Sequence, residues 1–153
     1  MPTILVEALS GGAFRRRRSL ILPLLTTDPE GYPRAALLTP GEVRALSASS
    51  LAVAVRAGSR TAANLIRRGE AALLYLARGV TASVQAKAGR GRTSRNDPDR
   101  QLFPLSVVRV RLDRPRLEEG EVALLTGPTF TGRDAGRLFS EELFAELGKV
   151  ETP

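Results

Sequence analysis

The segment from Gly58 to Gly69 (GSRTAANLIRRG) most constrains the fold, because it predicts one short helix with a defined beginning and end. Gly58 ends the extended stretch before it, and Ser59 is a favoured N-cap residue. Gly69 occupies the position at which a left-handed residue commonly ends a helix. A short internal helix is therefore expected between two extended segments.

Arg60 is an unusual residue for the first turn of that helix, because the positive end of the helix dipole repels a cation. A bound anion would remove the conflict. The free backbone N–H groups, the hydroxyls of Ser59 and Thr61, and the Arg60 guanidinium could hold a phosphate there. The alternative is an ordinary capped helix whose Arg60 points into water, and this segment alone leaves both interpretations open.

The composition limits the chemistry available to this chain. It has 153 residues, which suits one domain, and its 42% hydrophobic and 25% charged residues are typical of a soluble globular protein. It contains no cysteine and no histidine. Disulfides, thiolate metal sites and cysteine nucleophiles are therefore excluded, and the commonest general base is absent. Any reaction must depend on a bound cofactor or on hydroxyls, carboxylates and arginines.

The net charge of +7 indicates anionic partners such as phosphates, nucleic acid or acidic lipid. The run Arg15–Arg18 is interpreted as a solvated surface or dimer-edge feature, with a nucleic-acid site as the alternative. The apolar stretch that follows is too short for a signal peptide, and no stretch approaches the ~20 apolar residues that span a bilayer. We therefore expect a cytoplasmic protein without a membrane partner.

Alternating apolar and polar residues, separated by glycine and proline, predict a series of short strands. A type I turn at residues 28–31 joins the first two strands. Residues 1–13 are expected to form a short helix or an arm, and residues 42–48 a connection. Residues 89–101 are predicted to be a loop, either a basic clamp on a ligand or a solvated segment. The strands are predicted at residues 20–27, 33–39, 51–56, 71–77, 80–88, 108–112 and 122–126.

Residues 134–148 are predicted to form an amphipathic C-terminal helix, because apolar residues recur at helical spacing, namely Leu138, Phe139, Leu143, Phe144 and Leu147. This helix would cover the core or a partner subunit, and core packing better explains its aromatic residues. The sequence therefore predicts a single, mainly β domain over residues 1–153, with residues 1–17 as an N-terminal arm. Its architecture would be an antiparallel barrel of six to seven strands with a short internal helix and a C-terminal helix.

The order of these elements resembles the FMN-binding split barrel of the pyridoxamine 5′-phosphate oxidase-like family over roughly residues 18–113. The start of the internal helix, Ser59-Arg60-Thr61, resembles the family's Ser-Arg-Lys helix start that holds the FMN phosphate, with Thr61 in place of the second basic residue. Residues 34–39 (RAALLT) resemble the family's Arg-x-Val-Leu-Leu-Lys strand, whose backbone lies against the flavin ring.

The resemblance implies a homodimer with FMN at the subunit interface, a deazaflavin being possible instead. It implies cofactor contacts from Arg34, Ala36, Leu37, Leu38, Thr39, Val55, Ser59, Arg60 and Thr61. The chain also departs from the oxidase of this family. Thr39 stands where that enzyme has a substrate-contacting lysine, and its C-terminal Arg-x-His stretch has no counterpart because this chain contains no histidine.

Three functions follow from these observations. The first is an FMN-dependent oxidoreductase acting on an unidentified small molecule, since a flavin would supply the redox chemistry that the side chains cannot. The second is a carrier or sensor that binds flavin, deazaflavin or haem without turnover. The third is a nucleic-acid-binding barrel, which is disfavoured because five Phe, two Tyr and no Trp leave little for base stacking.

Overall fold

A computed structural model describes residues 1–10, 20–77, 80–113, 127–129 and 140–152. A short 3₁₀ turn, Pro40–Glu42, lies between the second and third strands. The helices are α1 (Thr3–Leu9), α2 (Arg60–Arg68) and α3 (Glu141–Leu147). The strands are β1 (Leu22–Thr27), β2 (Pro33–Leu38), β3 (Val43–Ser47), β4 (Ser50–Arg56), β5 (Glu70–Ala77), β6 (Val80–Ala88), β7 (Arg92–Thr93) and β8 (Arg100–Asp113).

The strands form one eight-stranded antiparallel sheet in the order β2-β1-β5-β6-β8-β4-β3, with β7 paired to β8. The sheet curls into a half-barrel, and three short helices accompany it. The predicted mainly β, antiparallel split-barrel architecture is therefore confirmed. Within the described chain, β2 and β3 are the two ends of the strand path.

Successive residues of the strands point to opposite faces of the sheet, and one face encloses the main hydrophobic core. The inward side chains include Leu24, Leu73, Val84 and Phe103, all fully or almost fully buried. Helix α1 contributes to the same core, which also takes in apolar residues from α2. The helix predicted as one possibility for residues 1–13 thus forms over Thr3–Leu9.

Helix α3 covers a second, smaller apolar cluster on the opposite face of β4 and β8. Ala52, Ala54 and Leu102 pack there against Leu143 and Leu147. This part of the predicted C-terminal helix is confirmed, and its apolar side contacts the chain's own sheet. The remainder of the 134–148 prediction before residue 140 lies outside the described residues.

The prediction of a connection over residues 42–48 is wrong. The 3₁₀ turn extends to Glu42, and β3 then pairs with β4 along Val43–Ser47. Only Val43 and Ala45 of this five-residue strand are buried. Two apolar residues give too short an alternation to distinguish an end strand from a loop.

The loop predicted over residues 89–101 also needs correction. Arg92–Thr93 form β7, and β8 already begins at Arg100. The predicted alternation from Val108 fails at its first residue, because the β6–β8 register shifts and leaves Val108 62% exposed. A bulge adds one residue to a strand and changes which face the side chains occupy.

Other predictions lie outside the described residues. These are the strand at 122–126, the Arg15–Arg18 run and the rest of the arm beyond residue 10. In the described ranges, no helix has the length and apolar character needed to cross a membrane.

Gly91 permits a close approach between the segment before β7 and the core. A Cβ at this position would lie 2.5 Å from the nearest atom of the buried Phe103 ring. We expect Gly91→Ala to destabilise the fold by about 1–3 kcal/mol, because the ring must move in a packed core. Chemical denaturation would measure the loss. It should be smaller in a Phe103→Leu background, and an equal loss there would contradict the proposed clash.

Candidate functional site

The first turn of α2 has the capping arrangement that the sequence predicts. The Ser59 hydroxyl accepts a hydrogen bond from the Ala62 N–H at 3.2 Å, and the Ser59 carbonyl accepts one from Ala63. At the other end Gly69 has φ = 65° and donates its N–H to the Leu65 carbonyl. Both predicted helix boundaries are confirmed.

This capping leaves two backbone donors at the start of α2. Neither the N–H of Arg60 nor that of Thr61 has a hydrogen-bond partner among the described residues. The Thr61 side chain is only 6% exposed, and its hydroxyl also lacks a partner there. Arg60 is exposed and forms no ion pair in the same part of the chain. The turn therefore presents two N–H donors, an unsatisfied hydroxyl and a cation.

A buried hydrogen bond fixes α2 against the sheet. Asn64 lies one turn after Thr61 and donates its side-chain N–H to the Thr26 hydroxyl of β1 at 3.0 Å. Both residues are buried. Helix α2 also contacts β2, β4 and β5. The structure thus places α2 beside β2, and sequence analysis missed the part of Asn64 in holding the helix against the sheet.

The β1–β2 pairing determines which backbone groups of β2 are available. The Asp28 N–H bonds to the Tyr32 carbonyl at 2.9 Å, and the register continues outward from this pair. Because hydrogen-bonded and non-bonded pairs alternate in an antiparallel ladder, Ala36 bonds toward β1. Ala35 and Leu37 instead point their N–H and C=O groups away from β1, at an edge that no described strand covers.

The predicted cofactor contacts of β2 therefore differ in exposure. Arg34 is exposed and Leu37 is 59% exposed, whereas Leu38 is buried opposite Leu22. Ala36 is half-buried and packs against the core. Val55 on β4 is 2% exposed and its side chain belongs to the core. Contacts of these residues with a cofactor remain predictions.

Thr39 is engaged inside the protein. Its N–H and its hydroxyl both donate to Glu42 Oε2, at 2.8 and 3.1 Å. The other oxygen of this buried carboxylate pairs with Arg100, which also lies 3.6 Å from Asp97. Sequence reasoning missed this network, although Thr39-Pro-Gly-Glu42 has the spacing of a capping box.

The outward side of β2, β1, β5 and β6 forms what we call the open face. A cavity of about 380 Å³ lies on it, and its lining includes Leu25, Pro33, Ala72 and Gln85. Leu37 projects from the same side, because it alternates with the inward-facing Leu38. Helix α3 covers the outward side of β4 and β8, whereas no described element covers the open face.

A second polar cluster joins α3 to residues 92–96. Glu146 is 6% exposed, and its Oε1 accepts from Arg92 Nη1 at 2.6 Å and from the Arg95 N–H at 3.0 Å. Its Oε2 accepts from the Ser94 hydroxyl at 2.6 Å and from the Asn96 N–H at 3.3 Å. Burial alone would raise the pKa of this carboxyl, but these donors outweigh it and lower the pKa from 4.5 to about 2.

Glu146 should make stability depend on acid pH. A carboxylate whose pKa is depressed in the folded state stabilises fully above its unfolded value of 4.5, and the contribution disappears as pH falls toward 2. The shift corresponds to roughly 3 kcal/mol. We expect Glu146→Gln to lower the unfolding free energy at pH 7 and to flatten its decline between pH 4.5 and 2.

Urea denaturation across this pH range would measure the effect. Glu151→Gln is the matched control, because Glu151 is exposed and has no hydrogen bond among the described residues. Parallel pH profiles for wild type and Glu146→Gln would show that the four donors do not depress the pKa of this carboxyl.

The half-barrel with its short internal helix is the fold of the FMN-binding split-barrel proteins. HupZ of Group A Streptococcus superposes with a TM-score of 0.56 at 13% identity, covering 86% of this chain and all of HupZ. An FMN-binding protein of Syntrophomonas wolfei gives 0.54 at 13% identity, covering 71% of this chain and 88% of that one. The styrene monooxygenase flavin reductase of Pseudomonas putida S12 gives 0.50 at 14% identity, over 61% and 79%.

Similarity in sequence is limited to a shorter stretch. The uncharacterised protein YclD of Bacillus subtilis is 33% identical over 67 residues, which span 44% of this chain and 44% of YclD. No family model matches the sequence. In the described ranges, no group of acidic residues has an arrangement that could hold a metal ion.

Proposed function

We propose that this protein binds a flavin, FMN in the first instance, and acts as an oxidoreductase on a small molecule. The observation that carries the proposal is the first turn of α2, with its unsatisfied Thr61 hydroxyl, two available N–H groups and the Arg60 cation. A phosphate matches all of these groups. The fold is shared with an FMN-binding protein and a flavin reductase, which supports the choice of ligand.

The residues present fit FMN at both of its ends. Ser59, Arg60 and Thr61 would hold the phosphate, with Ser59 also maintaining the cap. Leu37 would offer its N–H and C=O to the polar edge of the ring system, since these groups point to the uncovered edge of β2. Thr39 would act indirectly, because its donors already bond to Glu42.

A bound flavin would supply hydride or electron transfer, which this chain's own side chains cannot perform. The protein would bind and orient the cofactor and exclude water from one side of it. No histidine or cysteine exists in the sequence to move a proton. A substrate that needs only hydride or electron exchange, such as a reduced nicotinamide, is therefore the expected class.

The proposed assembly is a cytoplasmic homodimer with the flavin at the subunit interface. The open face supports this, because Leu25, Ala72 and the exposed Leu37 lie there beside a cavity of about 380 Å³, with Glu70, Gln85 and Lys87 also in its lining. Exposed apolar patches of this kind mark interaction sites in soluble proteins. A second copy seated there would enclose a cofactor that the described residues of one chain leave uncovered.

The decisive experiment combines visible absorption with anaerobic reduction. Protein reconstituted with FMN and desalted should keep the flavin bands, and reduced nicotinamide should then bleach them. Flavin bands that are retained but not bleached by any small reductant would indicate a flavin carrier instead of an oxidoreductase. Loss of FMN on desalting would contradict flavin mononucleotide binding, and a deazaflavin or haem titration would follow.

Arg60→Ala should raise the dissociation constant of FMN about tenfold or more, because it removes a charge-assisted contact to phosphate. Arg67→Ala is the matched control, since Arg67 lies at the opposite end of the same helix. Quenching of flavin fluorescence would measure both. Equal FMN affinities of the two variants would contradict the assignment of the phosphate to the start of α2.

Leu37→Glu should shift the protein from dimer to monomer and weaken FMN binding with it. The added carboxylate would lose its hydration in the interface without gaining a matching cation. We therefore expect the dissociation constant of the dimer to rise on the order of 100-fold. Ile4→Glu is the control, because Ile4 is also exposed but lies on α1. Sedimentation equilibrium would measure the dimer content of both variants. A dimer that stays intact in Leu37→Glu would contradict an interface on the open face.

A further inference from the structure

A cavity of about 640 Å³ lies between residues 90–96, Pro104 and one side of α3. Four basic side chains line it, namely Arg90, Arg92, Arg95 and Lys149. Only Arg92 forms an ion pair in the described chain, with Glu146. Arg90, Arg95 and Lys149 therefore lie around one concave surface without an ion-pair partner among the described residues.

The acidic residues of the same cavity cancel only part of this charge. Glu146 is saturated by Arg92, by the Ser94 hydroxyl and by two backbone N–H groups. Glu142 and Glu151 are exposed to solvent and pair with none of the described basic residues. Three unpaired cations thus face two solvated carboxylates, and the low-dielectric wall of a cleft concentrates the field of the excess charge.

The cations project from a segment with a defined conformation. Residues 94–96 wrap around the Glu146 carboxylate, and Gly91 is packed against Phe103. Arg90 and Arg95 consequently begin from fixed backbone positions on either side of β7. Fixing the backbone in advance reduces the entropy lost when these long side chains bind a ligand.

The rest of the cavity is apolar. Pro104 of β8 and Ala145 and Val150, in and after α3, contribute uncharged walls. An arginine fork forms paired hydrogen bonds with phosphate oxygens, and an apolar wall accepts an aliphatic or planar group. A small molecule with a phosphoryl group at one end matches both features.

We propose that this cavity, which we call the basic cavity, binds a small phosphorylated molecule. It is separate from the proposed flavin site, since none of its lining residues belongs to α2 or β2. The inference goes beyond flavin binding and does not depend on it. The proposal agrees with one of the two interpretations of residues 89–101, a basic clamp on a ligand. It places that clamp at the basic cavity.

The test is calorimetric titration of the full chain with inorganic pyrophosphate, with and without saturating FMN. With FMN occupying the start of α2, wild-type protein should still bind pyrophosphate, whereas any additional binding seen only without FMN belongs to α2. Arg90→Ala/Arg95→Ala should weaken this binding at least about tenfold. The control is Arg109→Ala/Arg111→Ala, which removes the same charge from exposed positions on β8 outside the cavity and should change binding less than twofold.

The flavin site can be separated from the basic cavity in the same experiment. In the presence of saturating FMN, Arg60→Ala should leave pyrophosphate binding unchanged, and Arg90→Ala/Arg95→Ala should leave FMN binding unchanged. If both arginine pairs weaken pyrophosphate binding equally, the effect is general electrostatics and the basic cavity is not a site. If Arg60→Ala or FMN abolishes pyrophosphate binding, the anion occupies α2 and the proposal fails.

A second arm identifies the source of the phosphoryl group. Phosphorylated sugars and a nicotinamide dinucleotide phosphate should be titrated into wild type and the same variants. The ligand whose affinity falls in Arg90→Ala/Arg95→Ala alone is the one that the basic cavity recognises. A single-stranded oligonucleotide that binds tighter than any of them, with a steep salt dependence, would overturn the small-molecule assignment.

Discussion

Strand β8 is the element on which the rest of the structure depends. Its residues 100–106 pair with β4, and its residues 105–113 pair with β6. One strand therefore holds together the two halves of the sheet, and it changes partner near Leu105, where it belongs to both ladders. Pro104, which has no N–H, lies one residue before this point, and its carbonyl accepts a hydrogen bond from the Gly89 N–H.

Two consequences follow from this change of partner. On one side of it, the outward faces of β4 and β8 are covered by α3, which contributes a small apolar cluster and the Glu146 carboxylate. On the other side, the outward faces of β1, β2, β5 and β6 have no covering element among the described residues. Among the described residues, one outer surface is thus covered by the chain itself, and the other is uncovered and mixes apolar with polar side chains.

In the proposed flavin site, α2 and β2 would contact the ligand without catalytic side chains. The cap formed by Ser59 satisfies the Ala62 N–H and leaves the donors of Arg60 and Thr61 for an anion. The alternation of the β1–β2 ladder leaves the backbone of Leu37 for a planar ring. Both features come from main-chain geometry, which explains why a chain without histidine or cysteine can still be proposed as a redox protein.

The sequence by itself determined the features that depend on local conformation. Ser59 and Gly69 set the ends of α2, the alternation over residues 80–88 set β6, and turn residues set the first hairpin. Only the tertiary structure decided the features that depend on distant partners. Arg100 pairs with the distant Glu42 carboxylate, the Val108 bulge arises from the β6–β8 register, and Glu146 collects donors from residues about fifty positions away. Local patterns report backbone preference and burial, whereas these contacts are created by strand pairing and helix packing, which no short stretch of sequence encodes.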